Sequence, residues 1–207
     1  MVLEQELKLL VNSDKQINLS SLILTDYMID AQIATAHLLS TYFDTASLYL
    51  LSQGLGLRMR KSNEQWVQTV KTSGHVKEGL HQREEWEHQL DSGHWNLDKL
   101  KQTPLSEMIN DPDIWPSIAP IFTTDFVRKT QQLSLEDGTK IELAYDRGQV
   151  IAGKLSTPIH EIELELKSGQ VKHLRLLADH LQQQLSLKTS DTSKAKMGYK
   201  LMASRLN

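Results

Sequence analysis

The chain has 207 residues, a formal net charge of −3 and no cysteine. This length suits one large domain with a core of its own, and the charge gives no indication of a nucleic-acid surface. The lack of cysteine excludes disulfides and thiolate metal sites. Any metal would need oxygen or imidazole ligands, and oxygen ligands favour hard cations such as Mg²⁺ or Mn²⁺.

The N-terminal residues 1–4 lack the charged start and apolar run of a signal peptide. A transmembrane helix needs about 20 consecutive apolar residues, and the sequence contains no such run. We therefore expect a cytoplasmic protein with no membrane partner and no nucleic-acid partner.

Alternating apolar and polar residues, with a run of β-forming residues before position 44, predict a series of strands. In chain order, these strands span residues 3–11, 37–44, 57–61, 66–71, 80–90, 126–135, 140–145 and 159–166. Turn-forming residues predict reversals at 62–63, 72–74, 137–138, 147–148 and 168–169.

Helices are fewer. A short helix is expected over 18–25, with Asn18 or Ser20 as its cap, and two more over 96–101 and 105–110. The clearest helical pattern covers 170–185, where an apolar stripe is expected to pack on the sheet. A final helix is expected over 194–205, where it can cover the end of a barrel.

So many antiparallel strands need protected edges, and closure into a barrel provides them. The sequence thus predicts a mainly β (α+β) domain with a few peripheral helices. Many strands carry a charge at every second residue, and side chains two apart share one face. Those charges can face either solvent or a polar lumen, and the alternation alone leaves both possibilities open.

The charged faces carry the candidate chemistry. Paired arginines suit phosphate because each guanidinium offers a fixed fork of donors. Several carboxylates on one face repel each other unless cations or arginines screen them. The faces that share these properties are Glu4/Glu6/Lys8, Arg58/Arg60, Thr69/Lys71, Arg83/Glu85/Glu87, Arg128, Glu142/Asp146 and Glu161/Glu163/Glu165.

Eight histidines are scattered along the chain without the spacing of a zinc site. We expect them at the surface or in turns. The four tryptophans are expected to be packing residues.

An ordered series of motifs resembles the CYTH superfamily, also called triphosphate tunnel metalloenzymes. The motifs are Glu4-x-Glu6-x-Lys8, Tyr42-Phe43-Asp44-Thr45, Leu57-Arg58-Met59-Arg60, Val70-Lys71-Thr72, His81-x-Arg83-x-Glu85, Asp125-Phe126-x-Arg128, Asp146-x-Gly148, Glu161-Ile162-Glu163-Leu164-Glu165 and Ser193-Lys194-x-x-x-Gly198-Tyr199. The resemblance implies a closed eight-stranded antiparallel β-barrel tunnel with a charged polar lumen. It also implies cleavage of triphosphate substrates with Mg²⁺ or Mn²⁺. Residues 80–85 and 158–165 are most similar to the bacterial inorganic triphosphatases.

The resemblance also implies roles for individual residues. Those expected to bind phosphates are Lys8, Arg58, Arg60, Lys71, Arg128 and Lys194. Glu4, Glu6, Glu161 and Glu163 are expected to hold the metal, with Glu165 as a further acid at the tunnel mouth. Glu85 and Asp146 are expected to be supporting carboxylates of the catalytic set. Arg83 is expected to pair with an acid or a phosphate.

We therefore expect metal-dependent hydrolysis of inorganic triphosphate to diphosphate and phosphate. Two alternatives stay open. One is a hydrolase or cyclase acting on another triphosphate, such as thiamine triphosphate or ATP; the other is a polyphosphate-binding module without turnover. We expect residues 1–207 to form a single domain. This domain could also be part of a longer chain that carries a C-terminal helical CHAD domain.

Overall fold

The computed structural model describes residues 1–204. Its strands are β1 (Val2–Val11), β2 (Met28–Ile29), β3 (Ala34–Asp44), β4 (Leu55–Ser62), β5 (Gln65–Thr72), β6 (His75–Lys77), β7 (Leu80–Leu90), β8 (Ala119–Ser134), β9 (Lys140–Ala152), β10 (Leu155–Ser168) and β11 (Leu187–Thr189). The helices are α1 (Tyr49–Ser52), α2 (Leu97–Leu100), α3 (Ser106–Asn110), α4 (Lys172–Gln184) and α5 (Lys194–Ala203), with 3₁₀ turns at Leu19–Ser21 and Trp115–Ser117.

Eight of the strands close into an antiparallel barrel. Their order is β1-β10-β9-β8-β3-β4-β5-β7, and β7 pairs again with β1. The short strands β2, β6 and β11 add to β8, β7 and β1 respectively. The predicted closed eight-stranded barrel is therefore confirmed. Closure leaves the ring without a free edge.

The register determines which side chains enter the lumen. Lys8 lies opposite Glu163, and Asp146 lies between Glu161 on one neighbouring strand and Arg128 on the other. Residues directly opposite each other share a face, so these charges all point to the inside. Lys8 is only 2% exposed. The charged faces of these strands thus line a polar lumen rather than meeting solvent.

Apolar side chains form three cores on the barrel and at its end. Helix α4 packs Leu174, Leu177 and Leu181 over β1 and β10, as its stripe predicts. Helix α5 covers one end of the barrel and packs Tyr199 near Phe122. A third core joins helices α1–α3 to strands β4 and β5.

The turn predicted at 147–148 is wrong, because β9 continues through both residues and the chain reverses after Ala152. Gly148 is needed there for close approach between strands rather than for a turn. A Cβ on it would lie 2.2 Å from the Asp125 carbonyl oxygen and 2.4 Å from the Phe126 Cα. The turns predicted at 62–63, 72–74, 137–138 and 168–169 each lie at or just after the end of a strand.

The helix predicted over 18–25 is also wrong. Only the 3₁₀ turn Leu19–Ser21 forms, although the Asn18 side chain caps it by accepting from the Ser20 N–H. The helix predicted over 194–205 ends at Ala203, and residue 205 lies outside the described residues. Within residues 1–204, no helix is long and apolar enough to cross a membrane.

Candidate active site in the barrel lumen

A cluster of three carboxylates lies on one wall of the lumen. Strands β9 and β10 place Asp146 directly opposite Glu161, and Glu163 follows two residues later on the same face. One oxygen from each of the three lies within 4.8 Å of the others, and all three residues are buried. Such convergence of buried carboxylates is costly unless cations compensate it.

Three cationic side chains provide that compensation. The Lys194 ammonium lies 2.6 Å from Asp146 Oδ2 and 2.8 Å from Glu163 Oε1, and it also donates to Glu161. Lys8 pairs with Glu163 and lies 3.6 Å from Glu161 Oε1. Arg128 forms a two-bond fork with Asp146, at 2.7 and 2.6 Å, and reaches Glu163 as well.

The pKa values of the three carboxyls follow these contacts. Burial alone would raise the pKa of Glu163, but Lys194, Lys8 and Arg128 together hold it well below its usual range. Burial opposes Arg128 and Lys194 at Asp146 too, and the pKa of Asp146 is lowered. At Glu161, burial outweighs Lys194 and Lys8, so its pKa is raised.

The other predicted acids lie further along the lumen. Glu4 Oε1 is 2.8 Å from the Lys71 ammonium, and Arg83 donates to both Glu4 and Glu6 at 2.6 and 2.8 Å. Lys71 also lies 3.0 Å from Glu85. Burial would raise the pKa of Glu4, but Lys71 and Arg83 lower it strongly. Arg83 therefore pairs with two acids, and binding of a phosphate by Arg83 stays a prediction.

Arg58 and Arg60 form a basic region with weaker acidic compensation. Arg58 donates to Thr69 Oγ1 at 3.0 Å, whereas Glu87 and Glu85 lie 3.5 and 3.8 Å away. Its buried Nε has no hydrogen-bond partner among the described residues. Arg60 donates to Ser40 Oγ at 3.0 Å, and burial together with the positive charges of Arg58 and Arg128 lowers its pKa to about 10.

Two uncharged residues face the same region. Burial would raise the pKa of Tyr42, but Arg58, Arg60 and further lumen cations lower it. The buried hydroxyl of Thr124 has no partner among residues 1–204. The sequence signal for both residues is the alternation of each strand. Tyr42 lies two residues after Ser40 on β3, and Thr124 lies four residues before Arg128 on β8, so each shares a lumen face with its partner. This positive region with open donors suits an anion.

Glu165 lies outside the buried carboxylate cluster: its Oε2 lies 2.7 Å from Lys167, and its side chain is 28% exposed. Its expected role as a further metal-holding acid at the tunnel mouth stays a prediction. The expectation of surface or turn histidines is wrong for His81, which is buried in β7 with its Nε2 3.0 Å from the Ser190 carbonyl oxygen.

Helix α5 brings Lys194 into the site. Ser193 caps the helix by accepting from the Lys196 N–H at 3.1 Å, and Lys194 is its first residue. Gly198 allows close packing, since a Cβ there would lie 2.2 Å from the Phe122 ring. The Tyr199 hydroxyl then donates to Asp44 Oδ2 at 3.1 Å. The helix is therefore anchored to the barrel by both packing and a buried hydrogen bond.

Comparison with known proteins identifies this arrangement. The model of the CYTH domain family matches residues 3–199. The chain belongs to the CYTH family. An inorganic triphosphatase from Haemophilus influenzae is 34% identical over 209 residues, which is 97% of this chain and 55% of the relative. This CYTH chain therefore spans about half the length of that curated relative.

Solved structures show the same fold. A Hippeastrum protein named as an adenylyl cyclase, and described as having a dominant triphosphatase activity, superposes with a TM-score of 0.64 at 19% identity over 95% of each chain. The protein PH1819 from Pyrococcus horikoshii gives a TM-score of 0.52 at 15% identity over 99% of each chain. At these identities, the likeness concerns the fold alone.

The residues of this CYTH domain fit a divalent metal. The cluster of Asp146, Glu161 and Glu163 offers only carboxylate oxygens, which are ligands that hard divalent cations favour. The ammonium of Lys194 already lies among these oxygens as a cation. The site is therefore chemically suited to a divalent cation. Asp146, which the resemblance implies only as a supporting carboxylate, belongs to the carboxylate cluster itself.

Proposed function

We propose that this CYTH domain hydrolyses inorganic triphosphate to diphosphate and phosphate, using Mg²⁺ or Mn²⁺. The proposal rests on two features that lie in the same barrel lumen. One is a buried carboxylate cluster, and the other is a basic region with a buried donor, Arg58 Nε, that has no hydrogen-bond partner among the described residues. The H. influenzae relative, named an inorganic triphosphatase, supports the choice of substrate.

In this proposal, the basic region binds the phosphate chain. Arg58 has a buried Nε without a partner among the described residues, and a phosphate oxygen is a strong acceptor for it. Arg60 provides a second guanidinium on the same strand face. Lys71 and Arg83 lie further along the lumen beside Glu4, where they hold the acidic wall in place and remain available to outer phosphate oxygens.

The cation would be held by Asp146, Glu161 and Glu163, with Glu6 nearby on β1. When bound, a divalent cation neutralises charge on the triphosphate and on the departing diphosphate. The lumen residues supply the rest: Arg58 and Arg60 orient the phosphates, and Lys194, Lys8 and Arg128 hold the pKa of Glu163 well below its usual range. Catalysis of phosphoryl transfer depends mainly on such positioning and charge stabilisation.

We also propose that residues 1–207 act as one catalytic domain. The family match covers residues 3–199, and this range contains every residue of the proposed site. The H. influenzae relative extends well beyond the matched region. A helical CHAD domain is the neighbour that we expect if the natural chain is similarly longer.

The test is phosphate release from inorganic triphosphate, thiamine triphosphate, ATP and long-chain polyphosphate, each with and without Mg²⁺ or Mn²⁺. We expect release that depends on the cation and is fastest with inorganic triphosphate. A clear preference for thiamine triphosphate or ATP would overturn the substrate assignment. Binding of triphosphate without release, in folded protein with either cation present, would instead indicate a polyphosphate-binding module.

A further inference from the structure

The carboxylate cluster of the lumen is charge-balanced from within. Asp146, Glu161 and Glu163 supply three negative charges, and the cations in contact with them are Lys8, Arg128 and Lys194. Glu6 also lies 3.5 Å from Lys8, but it is itself paired with Arg83 at 2.8 Å. A divalent cation entering this set would therefore add two positive charges to a group whose charges already balance. Buried charge without compensation is strongly unfavourable, so entry of the cation requires a rearrangement of the protein's own cations.

Lys194 occupies the position that such a cation needs. Its Nζ contacts one oxygen from each carboxylate, at 2.6 Å from Asp146 Oδ2 and 2.8 Å from Glu163 Oε1, together with Glu161 Oε1. A divalent ion coordinated by oxygens that converge in this way would lie where the ammonium lies. The two positive groups therefore exclude each other.

The three internal cations differ in their freedom to move. Arg128 is fixed to Asp146 by two parallel hydrogen bonds. Lys8 extends from β1, which pairs on both sides within the barrel. Lys194 extends from the first turn of α5, and its Nζ lies 4.9 Å from the centre of the Phe126 ring. The flexible lysine stem can withdraw from the carboxylates while the ring still contacts the cation.

We infer that Lys194 is an internal counter-ion which a divalent cation displaces from Asp146, Glu161 and Glu163. This inference rests on the cation requirement of the proposed function and adds the residue that competes with the cation. The displaced ammonium becomes available to the incoming phosphate chain. Because the charges then balance only when the polyanion is present, binding of the cation and of triphosphate is mutually reinforcing.

The test is titration of Mn²⁺ into triphosphate-free protein by calorimetry, comparing wild type with Lys194→Met. Removing the ammonium frees the three oxygens, and we expect Mn²⁺ to bind at least about tenfold more tightly. Lys194→Arg retains a competing charge and is expected to keep weak binding. Lys196→Met, an exposed position on the same helix, is the matched control and should equal wild type. Equal or weaker Mn²⁺ binding by Lys194→Met, or none by either protein, overturns the inference.

A second measurement uses the wild type, so that it does not depend on how the variants fold. The nitrogen resonance of the Lys194 ammonium is followed by NMR during titration with diamagnetic Mg²⁺. Loss of its carboxylate partners should shift this resonance, whereas an unchanged signal at saturating Mg²⁺ overturns the inference. Neither experiment contains triphosphate. Failed phosphate release combined with intact cation exchange would therefore refute the proposed function and leave this inference standing.

Discussion

Substitution of Arg58 should reduce kcat/KM strongly while it changes the unfolding free energy little. Its nearest carboxylate is Glu87 at 3.5 Å, and its buried Nε has no partner among the described residues. In the proposed complex, the Arg58 guanidinium would donate two charge-assisted hydrogen bonds to phosphate oxygens. Bonds of that kind contribute about 1.5–3 kcal/mol each. We therefore expect Arg58→Met to lose roughly 3 kcal/mol of transition-state stabilisation, which is a fall of about 150-fold in kcat/KM.

The same substitution should cost little stability. Glu85 keeps Lys71 as a partner at 3.0 Å, and the Glu87 side chain is 51% exposed. Arg128→Met is the contrasting variant, because it removes the fork from fully buried Asp146, and breaking such a pair costs about 3–5 kcal/mol.

Steady-state phosphate release and urea unfolding measure the two effects for Arg58→Met and Arg128→Met. We expect loss of kcat/KM in both variants and a large loss of unfolding free energy only in the second. An Arg58→Met enzyme that keeps kcat/KM within about threefold of wild type, or that unfolds as readily as Arg128→Met, would rule out a mainly substrate-binding role for Arg58.

Three further predictions follow from other contacts. Tyr199→Phe removes the hydrogen bond to buried Asp44, and we expect a loss of about 1 kcal/mol in the unfolding free energy; an unchanged urea midpoint would contradict this. Burial raises the pKa of Glu161, and a cation ligand must be deprotonated. We therefore expect kcat/KM to fall as the pH drops, starting at a higher pH than for an ordinary glutamate, and a profile that stays flat to pH 4.5 would be inconsistent with this role. Gly148→Ala places a Cβ 2.4 Å from the Phe126 Cα, and a thermal melt should show destabilisation of about 3 kcal/mol or more; a wild-type melting temperature would exclude the predicted clash.

The barrel strands were predictable because their alternation has a direct physical cause: one face packs on an apolar core, and the other enters the lumen. The pattern could not distinguish a lumen from solvent, because charged residues suit both. That distinction came from closure, which depends on the pairing of β7 with β1 across the chain. The very short strands β2 and β11 depend on their partners too, since two or three residues carry too little pattern to be recognised.

Gly148 shows the limit of local rules. Glycine is a frequent turn signal, but at this position it serves the contact between β8 and β9. Only knowledge of the neighbouring strand reveals the reason.

The site shows the same division between local pattern and long-range register. Glu161 and Glu163 could be paired from their spacing, since two residues on one strand share a face. Asp146 joins them because β9 aligns it with Glu161, which spacing within one strand cannot show. The position of Lys194 among these acids depends on the packing of α5 across the barrel end. Open donors such as Arg58 Nε become apparent only once every neighbour is placed.

The proposed function requires that the lumen hydrolyse triphosphate with the help of a divalent cation at its carboxylate cluster. The most direct measurement is phosphate release from inorganic triphosphate by chelator-treated protein, before and after Mg²⁺ or Mn²⁺ is restored, with Glu163→Gln beside the wild type. We expect the wild type to be inactive after chelation and to recover with the cation, while Glu163→Gln stays inactive although folded. Full activity in the chelated wild type, or full recovery in Glu163→Gln, would overturn the proposed role of the cation and its carboxylate ligands.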